Sequence, residues 1–361
     1  MKPFNLKSVR LALVVSTLTA PLPAQWLNQP TPGIPRTADG KPNLAAPAPR
    51  TRDGKPDLSG LWFKISQKYG ANIAADLKPG EVQPWAEALV QQRREDLGKN
   101  STNVQCLPLG PASVTADHTS VATFKIVQAP DVIVFLYANL TYRQIFMDGR
   151  ALETDPNPSW MGYSVGHWEN DTLVVESNGF NDRSWLDAFG HPHTEALRTT
   201  ERYRRPDFGH LELEMTLADP TIYARPWTVA LRAELDADNG IIEYVCNEAN
   251  KGQEHWVGTA ADDRKSAVKV APEILAKYVG TYKEVGKLWA IAPRTVEIAF
   301  SGEALFGNLD GRGSVQLSAT TETAFAGFNG LGLEFLKDSK DGHTYLIVKH
   351  VSGDYRFERA R

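Results

Sequence analysis

Short runs in which hydrophobic and polar residues alternate fill the middle of the chain. Nine such runs, rich in Val, Ile, Phe, Tyr and Thr, predict strands at residues 120–127, 131–138, 141–147, 161–168, 172–178, 196–204, 210–217, 226–235 and 240–246. Turn-forming residues such as Asn170, Asp171 and Gly240 separate them. Because the short connections leave no room for parallel crossovers, the pattern predicts an antiparallel meander that closes into a barrel.

A second set of alternating runs follows a polar linker at residues 258–270. After a short helix at residues 272–278, about eight strand-like runs continue to Arg359, with glycine-containing turns between them. The pattern predicts an all-β protein with few helices. Its units are a central barrel domain at residues 61–257 and a small C-terminal barrel or sandwich at residues 271–361.

One segment, residues 82–97, has the spacing of a long amphipathic helix. Trp85, Ala88 and Leu89 recur at helical spacing, and Gly98 follows as a helix terminator. We therefore expect one long helix, near the start of the central barrel domain, with these three residues on its apolar face.

The lengths of the predicted connections point to a ligand site. In a meander, successive connections alternate between the two ends of the barrel. This order places the long connections 148–160, 179–195 and 218–225 at one end, and 139–140, 169–171, 205–209 and 236–239 at the other. Long loops at one rim are where a barrel normally builds a binding site, so we expect the first two to meet there.

The N-terminus indicates export from the cytoplasm. Lys2, Lys7 and Arg10 precede an apolar run at residues 11–15 that is too short to span a bilayer, which is typical of a secretory signal peptide over residues 1–24. We expect a periplasmic or secreted protein. Removal of the signal peptide would change the formal charge of the chain from −4 to −7.

A proline-rich segment at residues 25–60 follows. The motif Arg-Thr-x-Asp-Gly-Lys-Pro-x-Leu occurs in it twice, starting at Arg36 and at Arg50. Prolines favour extended backbone and Asp-Gly pairs favour turns, so we expect an extended strap that wraps the surface. Two copies are too few for a solenoid.

Composition excludes several classes of partner. With 39 Lys and Arg against 43 Asp and Glu, the chain lacks the basic surface that binds nucleic acid. No segment beyond the signal peptide reaches about 18 consecutive apolar residues, so no membrane span is expected. The two cysteines, Cys106 and Cys246, allow at most one disulfide. The sequence leaves open whether it forms.

Two parts of the chain resemble known families. Residues 275–282 (LAKYVGTY) and 355–359 (YRFER) resemble the lipocalin-like domain appended to secreted beta-lactamase-like serine hydrolases, whose Ser-x-x-Lys motif is absent here. Residues 53–62, 142–150 and 179–185 resemble a family of uncharacterised secreted soil-bacterial proteins. The resemblance implies lipocalin-like barrels and supplies no catalytic residues.

The most concentrated polar stretch, residues 181–195, lies on the longest connection of the predicted rim. It contains Asp182, Asp187, His191 and His193. Carboxylates beside imidazoles are the pairing that acid–base catalysis uses. The sequence therefore predicts His191 or His193 as general base, with Asp182 or Asp187 as the orienting or acidic partner; the alternative is a polar loop whose side chains cap turns.

The same stretch allows a metal site as an alternative. If residues 191–195 are extended, His191, His193 and Glu195 lie on one side of the strand and could hold a divalent ion. No phosphate-binding loop, dinucleotide fingerprint or haem motif is present, so no other cofactor is expected.

Alternation along the predicted strand 196–204 places Glu201 on the inward face. We therefore consider Glu201 a candidate catalytic carboxylate, but we favour a structural ion pair to an arginine such as Arg143. Candidate ligand-binding residues, in or beside the rim loops, are Arg143 and the aromatic residues Trp160, Tyr163, Trp185, Tyr223 and Trp227.

Residues 162–166 match the Gly-x-Ser-x-Gly motif of a nucleophile elbow. The motif needs a strand, a turn and a helix, whereas Ser164 lies in a strand pattern that continues past it, so we do not expect a catalytic serine there. The leading hypothesis is an enzyme of hydrolase, lyase or isomerase type acting on a small organic molecule or saccharide. The alternatives are a non-catalytic lipocalin-like binding protein and an assembly module.

Overall fold

The computed structural model describes residues 30–64, 68–116, 123–249, 264, 267–286, 294–311, 313–327, 331–338, 342–350 and 353–360. The signal peptide predicted at residues 1–24 and the first residues of the strap lie outside this set. The predicted fold class is confirmed: the protein is all-β, with two closed barrels of nine and eight strands. No helix among the described residues is long and apolar enough to cross a membrane.

The central barrel runs in sequence order from β1 to β9. Its strands are β1 Gly60–Lys64, β2 Thr123–Gln128, β3 Val132–Tyr137, β4 Tyr142–Phe146, β5 Tyr163–Glu169, β6 Thr172–Asn178, β7 Arg198–Arg204, β8 His210–Ala218 and β9 Trp227–Leu235. Large side chains such as Trp62, Phe135 and Tyr203 fill its interior, each at most 1% exposed. We call the end of the barrel at which β1 terminates the upper end, and the opposite end the lower end.

The ninth strand differs from the predicted one. Residues 240–246 do not form a strand: Ile242 is 66% exposed, and a short helix, α3 (Cys246–Ala249), follows. Instead β1 closes the barrel, because Trp62 is paired with Phe124 of β2 on one side and with Leu235 of β9 on the other. With β9 already paired on both edges, residues 240–246 have no strand to join.

The strand order also departs from a simple meander at one point. β4 and β5 are parallel, paired at Phe146 and Val165, so the connection 147–162 runs from the lower end to the upper end. All other neighbouring pairs in this barrel are antiparallel. The prediction that connection 139–140 lies opposite the long loops is therefore wrong: it joins β3 to β4 at the upper end.

The strap is attached to the lower end of the barrel by the same arginine contact in each of its two motif copies. Arg36 and Arg50 each donate to the glycine carbonyl of their own motif copy, at 3.1 and 2.7 Å. Each then forms an ion pair with an aspartate at the lower end, Arg36 with Asp238 after β9 and Arg50 with Asp171 in the β5–β6 turn. The repeated motif is thus a repeated attachment to the barrel.

The long connection between β1 and β2 covers the upper end. It carries α1 (Pro84–Glu95) and α2 (Gly110–Ala116). Helix α1 confirms the predicted helix, but its buried residues are Ala86 and Val90 rather than the predicted set. The Nζ of Lys64, at the end of β1, donates to the carbonyl oxygen of Val114 in α2. Helix α2 therefore caps the barrel interior.

A disulfide joins this cover to the segment that follows β9. Cys106 and Cys246 are bonded, with their Cα atoms 5.5 Å apart and a sequence separation of 140 residues. The possibility that the sequence left open is thus realised.

The second barrel follows α4 (Pro272–Leu275) and a 3-10 turn, Ala276–Tyr278. Its strands are β10 Gly280–Val285, β11 Thr295–Ser301, β12 Ala304–Leu309, β13 Ser314–Ala319, β14 Ala324–Gly327, β15 Leu331–Lys337, β16 Thr344–His350 and β17 Gly353–Arg359. All neighbouring strands are antiparallel, and β17 pairs with β10 to close the barrel. The first residue of β13 touches the cover of the central barrel, where Arg94 donates to the Ser314 carbonyl at 3.1 Å.

Candidate active site at the upper end of the central barrel

The two long loops that the sequence places together do meet. In the connection 148–160, Ser159 donates its backbone N–H to Gly179 and accepts one from Asn181, both at 2.9 Å. This expectation is confirmed, although the first loop starts at the lower end and reaches the upper end only after it runs the length of the barrel. The loop 179–195 is therefore anchored at its start.

Asp187 and His191 form a hydrogen-bonded pair in this loop. The Nδ1 of His191 lies 2.6 Å from the Oδ2 of Asp187. The same carboxylate accepts backbone N–H bonds from Ile73 at 2.9 Å, Phe189 at 3.0 Å and His191 at 3.2 Å. The Asp187 side chain is 2% exposed and the His191 side chain 13% exposed. The loop therefore fixes a buried carboxylate against one edge of an imidazole ring that still reaches solvent.

The other edge of that ring is available for chemistry. Nδ1 faces a carboxylate, which fixes the proton on Nδ1 and leaves the lone pair on Nε2. No described residue forms a hydrogen bond with Nε2 of His191. An imidazole oriented in this way can accept a proton from a bound molecule and return it.

A second histidine, His193, forms a different pair with Ser184. The Ser184 Oγ lies 2.7 Å from His193 Nε2, and His193 Nδ1 lies 3.1 Å from the Thr194 carbonyl oxygen. Because the carbonyl can only accept, Nδ1 carries the proton and Ser184 donates to Nε2. The distances match a nucleophile and its base, but both residues are 4% exposed.

Helix α2 covers this serine and histidine. Gly110 has a φ of +77°, and a Cβ there would lie 2.7 Å from the Ser184 Oγ, so glycine is required for the close approach. The narrow recess beside the pair is lined mainly by apolar residues such as Leu109, Phe180 and Leu197. Of the two histidines, His191 is therefore the one that a molecule from solvent can reach.

Burial lowers the pKa of His193 below its ordinary value of 6.5, because the apolar surroundings disfavour the charged ring. The folded protein therefore prefers the neutral ring, whereas the unfolded chain takes up a proton as the pH falls below about 6.5. We expect this contribution to stability to be complete above pH 6.5 and to be lost as the pH falls through the lowered pKa.

The test is urea unfolding of the wild type and of His193→Gln between pH 7.5 and 5. The slope of stability against pH should fall in the variant by at most about 1.4 kcal/mol per pH unit, the limit for one proton. His167→Gln is the control, since the His167 side chain is 53% exposed on β5. Equal slopes in wild type and His193→Gln would contradict the assignment.

The remaining predicted carboxylates are not part of this site. Asp182 is exposed and forms no hydrogen bond with either histidine, although its charge acts on the pKa of His193. Glu201 lies inside the barrel, 0% exposed, in an ion pair of 2.5 Å with Arg143. The structural pairing that the sequence favoured for Glu201 is therefore present, and neither residue of the pair reaches the loops.

The predicted metal set is not brought together. His191 faces Asp187, His193 faces Ser184, and Glu195 is exposed. Within the described ranges, no group of three or more His, Cys, Asp and Glu side chains has a metal-binding arrangement.

The predicted aromatic residues divide into core and surface. Trp185, Tyr223 and Trp227 are at most 7% exposed, and Tyr223 donates its hydroxyl to the Pro192 carbonyl at 2.8 Å. They support the loop rather than present a stacking face. Trp160 is partly exposed under the guanidinium of Arg183, 4.9 Å from the ring centre, and Tyr163 packs on Phe146. At this end of the barrel, the three buried aromatic residues thus support the loop, and Trp160 and Tyr163 lie at its rim.

Two arginines at the end of α1 hold the loop and are absent from the predicted set. Arg93 donates to the Gly190 carbonyl at 2.7 Å and lies over the Trp185 ring, 4.5 Å from its centre. Arg94 lies over the Phe189 ring at 4.9 Å. Their position on a predicted helix gives no sign of this contact, which depends on how α1 packs on the loop.

Comparisons with protein-family models, with curated proteins and with solved structures found no match for this chain. The roles given to residues here come from the geometry of the site. The resemblance to secreted lipocalin-like proteins stays a prediction.

Proposed function

We propose that this protein is an enzyme that carries out acid–base chemistry on a small organic molecule at the upper end of the central barrel. His191 is the proton acceptor and donor, and Asp187 orients it. The observation that carries the proposal is the 2.6 Å contact from Nδ1 to a carboxylate with 2% exposure, on a ring whose Nε2 has no hydrogen-bond partner among the described residues.

The roles of the two residues follow from their contacts. The Asp187 carboxylate is held by three backbone N–H groups, so the imidazole has a fixed orientation before any molecule binds. The neutral ring takes a proton at Nε2, and the adjacent carboxylate stabilises the imidazolium that results. The same ring can then return the proton to a leaving group or to a neighbouring atom.

Hydrolase, lyase and isomerase reactions all need a proton moved at one position in this way, on a saccharide or another small molecule. The Cys106–Cys246 disulfide supports the proposal that the enzyme works in the periplasm or outside the cell, because such bonds persist in oxidising compartments.

A second candidate function is binding without chemistry, inside the central barrel. A small recess lies among Phe124, Phe135, Tyr137, Tyr203 and Leu213. Its lining is mainly aromatic and aliphatic, so it suits a small apolar ligand that pushes these side chains apart as it binds. The recess is separate from the His191 loop, so variants of the loop distinguish the two functions.

The test is conversion of small molecules by the wild type and by His191→Gln. A mixture of glycosides, esters and hydroxy acids is incubated with each protein and followed by mass spectrometry. We expect the wild type to convert at least one compound, and His191→Gln to turn it over about 100-fold more slowly with its binding largely kept, since a general base acts on rate more than on ground-state affinity.

The chain offers a matched control. His210 forms an equivalent pair with Asp207, 2.7 Å from Nδ1 to Oδ1, at the lower end of the same barrel. His210→Gln should convert the compound at the wild-type rate. If the wild type retains a compound that it never converts, or if His191→Gln keeps full turnover, the acid–base proposal is wrong and the binding function is favoured.

A further inference from the structure

The two arginines that hold the catalytic loop have no acidic partner. Arg93 and Arg94 form no ion pair with any described carboxylate, and their hydrogen bonds go to the backbone carbonyls of Gly190 and Ser314. By contrast, the buried Arg143 is paired with Glu201. Two neighbouring positive charges at the edge of the site are therefore uncompensated by side chains at hydrogen-bonding distance.

Both guanidinium groups have N–H donors beyond the one that each uses in a hydrogen bond to a described residue. Each lies over an aromatic ring, Arg93 at 4.5 Å from the centre of Trp185 and Arg94 at 4.9 Å from the centre of Phe189. A guanidinium group is planar, and its N–H groups form a fork that matches the two oxygens of an oxyanion. Each arginine uses one nitrogen in a bond to a carbonyl, and both side chains are partly exposed.

The positions of these groups connect them to the catalytic pair. Arg93 bonds to Gly190, the residue that precedes His191, and the Asp187 charge acts on the pKa of both arginines. Burial lowers those pKa values, because the surroundings disfavour the charged groups. An oxyanion bound beside Arg93 and Arg94 would offset their positive charges and favour their charged forms.

We propose that Arg93 and Arg94 form a binding site for the carboxylate or phosphate of a small organic anion, and that this anion is the substrate of His191. The second half of this inference rests on the proposed function. The two arginines hold the anionic group, and the rest of the molecule extends toward Nε2 of the imidazole.

The first test uses the wild-type protein and phenylglyoxal, which modifies accessible guanidinium groups. Benzoate and phenyl phosphate serve as anionic probes, and benzamide is the neutral match to benzoate. At ten times its dissociation constant, an anion should slow modification of Arg93 and Arg94 about tenfold, as followed by peptide mass spectrometry. Protection by benzoate alone identifies a carboxylate site, and protection by phenyl phosphate alone a phosphate site.

Arg52, exposed in the strap at the lower end, is the internal control and should be modified at the same rate throughout. Equal protection by benzamide, equal protection of Arg52, or no protection by either anion would overturn the proposed site.

The second test measures the affinity of the protecting anion for Arg94→Gln by calorimetry. Loss of a charge-assisted hydrogen bond should weaken binding about tenfold or more, whereas Arg52→Gln should bind as the wild type does. Unchanged affinity in Arg94→Gln would count against the site.

The two proposals can fail separately. Anion protection without conversion of any compound, anionic or neutral, supports the binding site and overturns the catalytic role of His191. Conversion of neutral compounds by a protein that no anion protects overturns the arginine site alone.

Discussion

Replacing Glu201 with leucine should lower the free energy of unfolding by about 3–5 kcal/mol, because removal of one partner leaves a buried charge uncompensated. Arg143 is 1% exposed and binds Glu201, Ser164 and Ser177 in the barrel interior. The two serine hydroxyls cannot neutralise its charge. Urea unfolding measures the loss, and the melting temperature should fall by about 6–20 °C.

Two further variants make this test specific. The double variant Arg143→Met with Glu201→Leu should recover most of the loss, because it removes both charges. The exposed pair of Arg202 on β7 and Glu169 on β5, 2.7 Å apart, is the matched control. Glu169→Leu should change stability by at most about 1 kcal/mol. A loss at Glu201 no larger than the loss at Glu169 would contradict the burial described for the pair.

Removal of the disulfide should have an effect of similar size. Cys106 and Cys246 close a loop with a sequence separation of 140 residues. In the chain-entropy description a loop of this length is worth about 5 kcal/mol, and loss of native disulfides commonly costs about 2–5 kcal/mol. The double variant Cys106→Ser with Cys246→Ser should therefore unfold at markedly lower urea concentration than the wild type.

A reducing agent provides the control for this prediction. Dithiothreitol should destabilise the wild type to the level of the serine variant and leave the serine variant itself unchanged. Two thiols that react freely in the unreduced, unfolded wild type would show that the bond is absent.

The strands were predictable where one face of a strand is buried and the other exposed. In β8, Leu211, Leu213, Met215 and Leu217 alternate with polar residues, so the period of two identifies the strand to within one residue. In β1 the neighbours Leu61 and Trp62 are both buried, which hides the period. The parallel pairing of β4 with β5 depends on where a long connection runs, and the pattern of residues carries no record of that path.

The candidate site was predictable to the level of residue type. Asp187 and His191 lie four positions apart in a polar loop, which was sufficient to nominate them. Which carboxylate meets which imidazole depends on the fold of the loop, so Asp182 and Asp187 were indistinguishable in the sequence. Ser184, Arg93 and Arg94 were missed because a lone serine and a pair of helical arginines have no distinguishing pattern before the loop packs on α1.

The closure of the central barrel by β1 has a consequence for how the protein is made. Residues 60–64 are synthesised long before their partner strand at residues 227–235. Arg36 is likewise separated by 202 positions in the sequence from Asp238, its ion-pair partner. Contacts so distant in sequence slow folding, because the loop between them must be ordered first. Local hairpins such as β7–β8 are expected to form early, and the first-made strand and the strap to dock last. A chain that stops before β9 would display two unpaired strand edges, which are sites of aggregation.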